Sequence, residues 1–174
     1  MDQKLWKKCV EFHGHECPGL AIGFRASEIA VEKMGLNFSF DEELVCVTEN
    51  DACGVDAVQL ITGCTLGKGN LIYRDTGKMA FTFFDRGKNN SIRLVLKEFK
   101  DEMSREERQR YILEEPADKV FSIKKPNFEV PKKAKIFNTI FCENCGEGAP
   151  EHKIRLSNSK KLCLDCAGEY SRGW

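Results

Sequence analysis

The sequence predicts an α+β fold: an N-terminal antiparallel sheet with helices, followed by a small C-terminal four-cysteine module. Three observations carry this. Apolar residues recur at helical spacing in residues 2–12, 18–34, 53–62 and 104–114. Between these lie short alternating or β-branched runs at 44–49, 70–75, 78–85 and 91–99. After residue 137 the composition changes and two Cys-x2-Cys pairs appear.

In order, Leu5, Trp6, Cys9, Val10 and Phe12 place one helix over 2–12, which Gly14 breaks. The next starts at Pro18, a residue tolerated at the first helical position, and stops at Gly35. LVCVTE (44–49) reads as a strand, and CGVDAVQLIT (53–62) as a short helix capped by Gly63. NLIYRD and KMAFTFFD read as a hairpin turning at Thr76–Gly77, with SIRLVLKEF (91–99) as a third antiparallel strand. Ser104-Arg105-Glu106-Glu107 is a capping box opening a helix that Pro116 ends. KKPNFEVPKKAK (124–135) has two prolines and five lysines and reads as a linker. The boundaries expected are a core domain at 1–123, a linker at 124–137 and the module at 138–174.

The 174 residues are 41% apolar and 31% charged, enough to bury a core. No apolar run approaches the ~18 residues a membrane span needs, and MDQKLWKKCV is no signal peptide. A reducing cytoplasm is expected. Nine cysteines there read as metal ligands, buried thiols or catalytic thiols rather than disulfides. Net charge is zero, but residues 124–174 carry ten Lys/Arg against six Asp/Glu. That asymmetry suggests two units and is weak support for nucleic-acid binding.

CENCGEGAPEHKIRLSNSKKLCLDC (142–166) is Cys-x2-Cys, seventeen residues, then Cys-x2-Cys. Each pair makes a knuckle aiming two sulfurs at one ion, so Cys142, Cys145, Cys163 and Cys166 close a tetrahedron around zinc. Four protein ligands leave no open position, which makes the zinc structural. KIRLSNSKKL reads as a hairpin and LDCAGEY as the start of a helix, the order of a zinc ribbon or treble clef. His152 is not needed as a ligand. Lys153, Arg155, Lys160, Lys161 and Arg172 are basic, but only Tyr170 and Trp174 are near for base stacking, so protein contact or a solvated face is favoured over nucleic acid.

The remaining cysteines divide. Cys9 and Cys46 fall on apolar faces and read as small core residues. FHGHECPGLAIGFR (12–25) sets His13, His15 and Cys17 two apart, with Cys17 as N-cap of the Pro18 helix, where the partial positive charge favours a thiolate. A shared metal, a thiol–imidazole pair and a polar turn all fit this run. ENDACGVDAVQLITGCTLGKGNL (49–71) adds Cys53 and Cys64 at the two ends of one helix, with Asp51 and Asp56. GCTLGKGN is not a phosphate loop: Gly63 to Gly67 encloses three residues, and Gly69 stands where Ser or Thr is required. Lys68 remains available for an anionic ligand.

These two motifs and the four-cysteine module together resemble the E-subunit family of formylmethanofuran dehydrogenase, over nearly the whole chain. The resemblance implies an α+β core found as an intertwined homodimer, a zinc-binding C-terminal module, and a metal-binding cleft near the His/Cys motif. It implies association with a molybdenum- or tungsten-dependent oxidoreductase complex. By resemblance, His15, Cys17 and Cys64 lead as ligands of the second ion, zinc or another borderline metal, with His13 and Cys53 next. Three functions follow: a metal-binding accessory protein, a stand-alone enzyme with Cys17 as nucleophile and His13 or His15 as base, and a regulatory binding module.

Overall fold

A computed structural model describes residues 1–99 and 103–169. The chain divides into two compact units, Met1–Ala134 and Lys135–Trp174.

In the first unit, α1 (Gln3–His13) is capped by the Asp2 carboxylate, which accepts from the Lys4 and Leu5 amides. Gly14 closes it at φ +93°, a left-handed conformation that glycine adopts without strain. α2 (Pro18–Met34) begins on Cys17 and ends on Gly35. Then follow β1 (Leu44–Thr48), α3 (Gly54–Thr62), β2 (Leu71–Tyr73), β3 (Ala80–Asp85) and β4 (Asn90–Leu96). α4 (Arg105–Glu114) carries the complete Ser104/Glu107 capping box. A short α5 (Ala117–Val120) leads into β5 (Phe121–Lys124).

The sheet order is β2-β1-β3-β4-β5. β2 runs parallel to β1, and every other pair is antiparallel. The expected β2–β3 hairpin is therefore corrected: β1 lies between the two. All five residues of β1 are buried, so it takes a neighbour on each side. α3 supplies the crossover a parallel neighbour requires, and residues 74–79 then carry the chain past the end of β1. The Arg74 amide donates to Thr48 O and the Glu49 amide to Ala80 O. β5 was not foreseen, because four mostly exposed residues carry no readable period.

Alternation along the strands makes two apolar layers. Cys46, Phe81, Phe83 and Leu94 meet Leu20, Phe24 and Ile29 of α2 in the main core. Val45, Val47 and Phe84 face the other way and pack against Ile72 and Phe128. Residues 124–134, read as linker, thus partly belong to this unit: Phe128 stacks on Phe84, and Arg86 donates to Pro131 O.

The sheet also buries an ion pair. Glu49 accepts from Arg93 and, at 2.8 Å, from Thr76. Burial pushes the Glu49 carboxyl up, but the Arg93 and Thr76 bonds and the Arg93 and Lys78 charges hold it below its ordinary 4.5. A depressed folded-state pKa contributes stability above the unfolded value, lost as pH falls through the folded one. Arg93→Met strands this carboxylate and is expected to cost about 3 kcal/mol at neutral pH. The gap to wild type, measured by urea unfolding, should narrow as pH drops below 4.5 and the carboxyl protonates. A gap independent of pH contradicts this account.

The second unit is two small hairpins. β6 (Thr139–Phe141) pairs with β7 (Gly148–Pro150), a 3-10 turn covers Glu151–Lys153, and β8 (Ile154–Ser157) pairs with β9 (Lys160–Cys163). Asn158 and Ser159, both at positive φ, make the β8–β9 turn. α6 (Leu164–Ala167) carries Cys166, as the spacing predicts. Tyr170, Arg172 and Trp174 lie outside the described residues.

Candidate metal centres

The first centre forms where two helices touch backbone to backbone. A Cβ on Gly23 of α2 would lie 1.9 Å from the carbonyl oxygen of Gly54, the first residue of α3, and one on Gly54 would lie 2.9 Å from Gly19 O. Only glycines permit this approach. It sets the two residues that precede the helices, Cys17 and Cys53, side by side: a Cβ on Gly19 would meet both sulfurs, at 3.7 and 3.5 Å. α1 adds the third group. Its last residue, His13, points Nε2 toward Cys17 Sγ at 3.9 Å. The donor atoms of His13, Cys17 and Cys53 all lie within 4.8 Å of one another.

Partners fix each donor. The Leu20 amide donates to Cys17 Sγ at 3.2 Å. His13 Nδ1 lies 2.7 Å from Asp56 Oδ2, which assigns the proton to Nδ1 and turns the Nε2 lone pair toward the sulfurs. This carboxylate–histidine arrangement is typical behind a metal-bound imidazole. Burial, and then the adjacent Cys17 thiol, push the Cys53 thiol above its ordinary value. A dication between the sulfurs reverses that preference. Asp56 lies one turn beyond Cys53 on the same helix, so the (i, i+3) spacing was a readable signal. Asp56→Asn is expected to weaken metal affinity 10–100-fold without loss of fold. Competition with a fluorescent chelator measures it, and an unchanged affinity contradicts the role.

His15 and Cys64 do not join the group. The His15 ring stacks near His13, 4.5 Å between centroids, but is solvent-exposed and outside the donor set. Cys64 is carried to the opposite end of α3, is fully buried, and contacts Leu44 O at 3.6 Å. Burial pushes its thiol up to about 11. Cys9 and Cys46 are fully buried core thiols. Gly14 serves its left-handed turn, with nothing within 4 Å of a Cβ there. Lys68 donates its ammonium to Ser39 O at 2.7 Å rather than facing a ligand. His13 and Cys53 line a cleft of about 490 Å³ with Asn50, Asp51, Asp56 and Tyr73.

In the second unit, Cys142, Cys145, Cys163 and Cys166 bring four sulfurs within 4.8 Å of one another. Cys145 and Cys163 are 3.9 Å apart, near the ~3.8 Å edge of a tetrahedron built on zinc–sulfur bonds of about 2.3 Å. The Cys163 amide donates to Cys142 Sγ at 3.3 Å and the Asn144 side chain to Cys166 Sγ at 3.2 Å. Backbone donors at Cys145, Cys163 and Asn144 pull the Cys142 thiol down to about 6. Such donors suit bound thiolates.

A family model described as FmdE, Molybdenum formylmethanofuran dehydrogenase operon, matches residues 12–130. The chain belongs to the FmdE family. In this FmdE-family chain a second model, the prokaryotic dksA/traR C4-type zinc finger, matches residues 135–172 and contains all four clustered cysteines. The fold is shared with an FmdE-like protein of tungsten formylmethanofuran dehydrogenase from Syntrophus aciditrophicus. The TM-score is 0.70 and the identity 24%, over 95% of this chain and 91% of that one. A probable S-adenosyl-L-methionine-binding protein of Archaeoglobus fulgidus is 35% identical over 96% of this chain. The chain spans about half of that relative's length, 53%.

Proposed function

We propose that this FmdE-family chain is a metal-binding accessory protein of a formylmethanofuran dehydrogenase-type molybdenum or tungsten system. His13, Cys17 and Cys53 hold zinc or a similar borderline ion, and the four C-terminal cysteines hold a structural zinc. The convergence of three donors from three helix ends, with Asp56 behind His13, carries the reading. Two sulfurs and an imidazole suit zinc, and three protein donors leave a fourth position to water or a ligand. A bound ion there supplies Lewis-acid polarisation. The chain's own residues orient the donors and hold the His13 proton on Nδ1. The family description supports the link to the dehydrogenase system. We also infer a cytoplasmic homodimer.

Affinity purification from the native host under anaerobic conditions tests the reading. It predicts a second metal per protomer and co-purified components of a molybdenum or tungsten oxidoreductase. Neither a second metal nor such components would overturn it.

One observation favours a second reading. Cys17, His13 and Asp56 are also ordered as nucleophile, base and orienting carboxylate. Alkylation separates the two. Metal-bound thiols at 17 and 53 resist iodoacetamide until a chelator is added, whereas an activated nucleophile at 17 reacts without it.

A further inference from the structure

The cleft beside His13 and Cys53 has apolar walls, formed by Ala52, Val55, Leu66 and Leu71, and the ring of Tyr73. Leu66 is 72% exposed and Tyr73 46%, so both stand at an open mouth. The charges on the lining are of one sign. Asp51 and Asp56 line the cleft, and among the described residues no Lys or Arg does. Asp75 adds a carboxylate outside the lining, accepting from the Tyr73 hydroxyl at 2.9 Å.

Neighbouring cations are turned elsewhere. The Lys68 ammonium is bound to Ser39 O, the Arg74 guanidinium stacks 4.9 Å above Phe128, and the Lys78 charge acts on Glu49. A bound dication does not reverse the sign. Two thiolates and a neutral imidazole cancel it, and Asp51 and Asp56 stay uncompensated. Phosphorylated and polycarboxylate ligands are therefore disfavoured here, since like charge in a partly desolvated cleft is repulsive. A cation with an apolar body finds carboxylate, aliphatic wall and aromatic face together.

We propose that this cleft binds a small organic ammonium, an aryl- or alkylamine whose nitrogen lies against Asp51 and whose body packs between Val55, Leu66 and Tyr73. This deepens the metal-centre reading and rests on it for why a ligand would be held beside the ion. The sign of the ligand's charge follows from the carboxylates alone.

The experiment uses three probes of one shape, benzylammonium, benzoate and benzyl alcohol, titrated into the full-length protein at neutral pH. Metal is counted in the same samples. Benzylammonium is expected to bind about tenfold more tightly than benzoate. Asp51→Asn should cut that preference at least threefold while leaving benzyl alcohol unchanged. Benzoate binding as well as or better than benzylammonium overturns the proposal, as does equal binding of all three. The titration is repeated on Cys17→Ala, which lacks a donor of the N-terminal centre and keeps the zinc module. If wild type shows no second metal yet both proteins prefer the cation, the metal reading fails and this one stands. If the second metal is present without the preference, the reverse holds.

Discussion

Gly23→Ala is expected to unfold the first unit under conditions where the wild type is fully folded. The added Cβ would sit 1.9 Å from Gly54 O and 2.4 Å from Gly54 Cα. Both are backbone atoms, so no side-chain rotation relieves the overlap. The helices must separate, and the core residues on both sides of α2 separate with them. A cost of at least about 5 kcal/mol is expected, at the extreme of single substitutions, with a drop in melting temperature above about 10 °C. Gly67→Ala is the matched control. Its Cβ meets open space and its φ is not left-handed, so it should stay within about 0.5 kcal/mol. Circular dichroism melts of the two variants decide this. A Gly23→Ala melt within a few degrees of wild type contradicts the helix contact on which the first centre depends.

Cys142→Ser is expected to unfold the second unit while leaving the first intact. The two hairpins are three or four residues per strand, and Ile136, Phe141 and Leu156 are strongly exposed, so within this unit apolar burial is slight. Metal binding then supplies most of the folding free energy, of the order of 10 kcal/mol in zinc-finger peptides. Cys142 is the most buried of the four sulfur ligands and accepts the Cys163 amide. Limited trypsin digestion should cut the variant quickly at Lys160 and Lys161, with residues 1–134 surviving. Equal protection of the module in variant and wild type contradicts a structural zinc.

What could be read from the sequence was local. The bounds of α2, the Ser104 box and the 154–163 hairpin each depend on residues within a few positions. The β2–β3 pairing failed because Thr76–Gly77 is a valid local turn signal, while the strand that separates the two, β1, comes before α3 in the chain. β5 was missed because FSIK is short and half solvent-facing. The same division runs through the first centre. His13 and Cys17 are four residues apart and adjacent in space. Cys53 and Cys64 flank the same helix, and sequence spacing treats them alike. The Gly19/Gly23/Gly54 contact brings the N-terminal end of α3 to α2, which selects Cys53 and buries Cys64 elsewhere. GLAIG was visible as two glycines four apart, but its partner glycine was not.

Metal stoichiometry tests the central claim most directly. The chain is purified anaerobically as wild type, Cys17→Ala, Cys64→Ala and Cys142→Ser/Cys145→Ser, and metal per protomer is counted by mass spectrometry. The account predicts two ions in the wild type and in Cys64→Ala. It predicts one in Cys17→Ala and one in the double variant, the surviving ion differing between them. A single ion in the wild type that vanishes with the double variant would contradict it, leaving His13, Cys17 and Cys53 as a thiol–imidazole group rather than a metal centre.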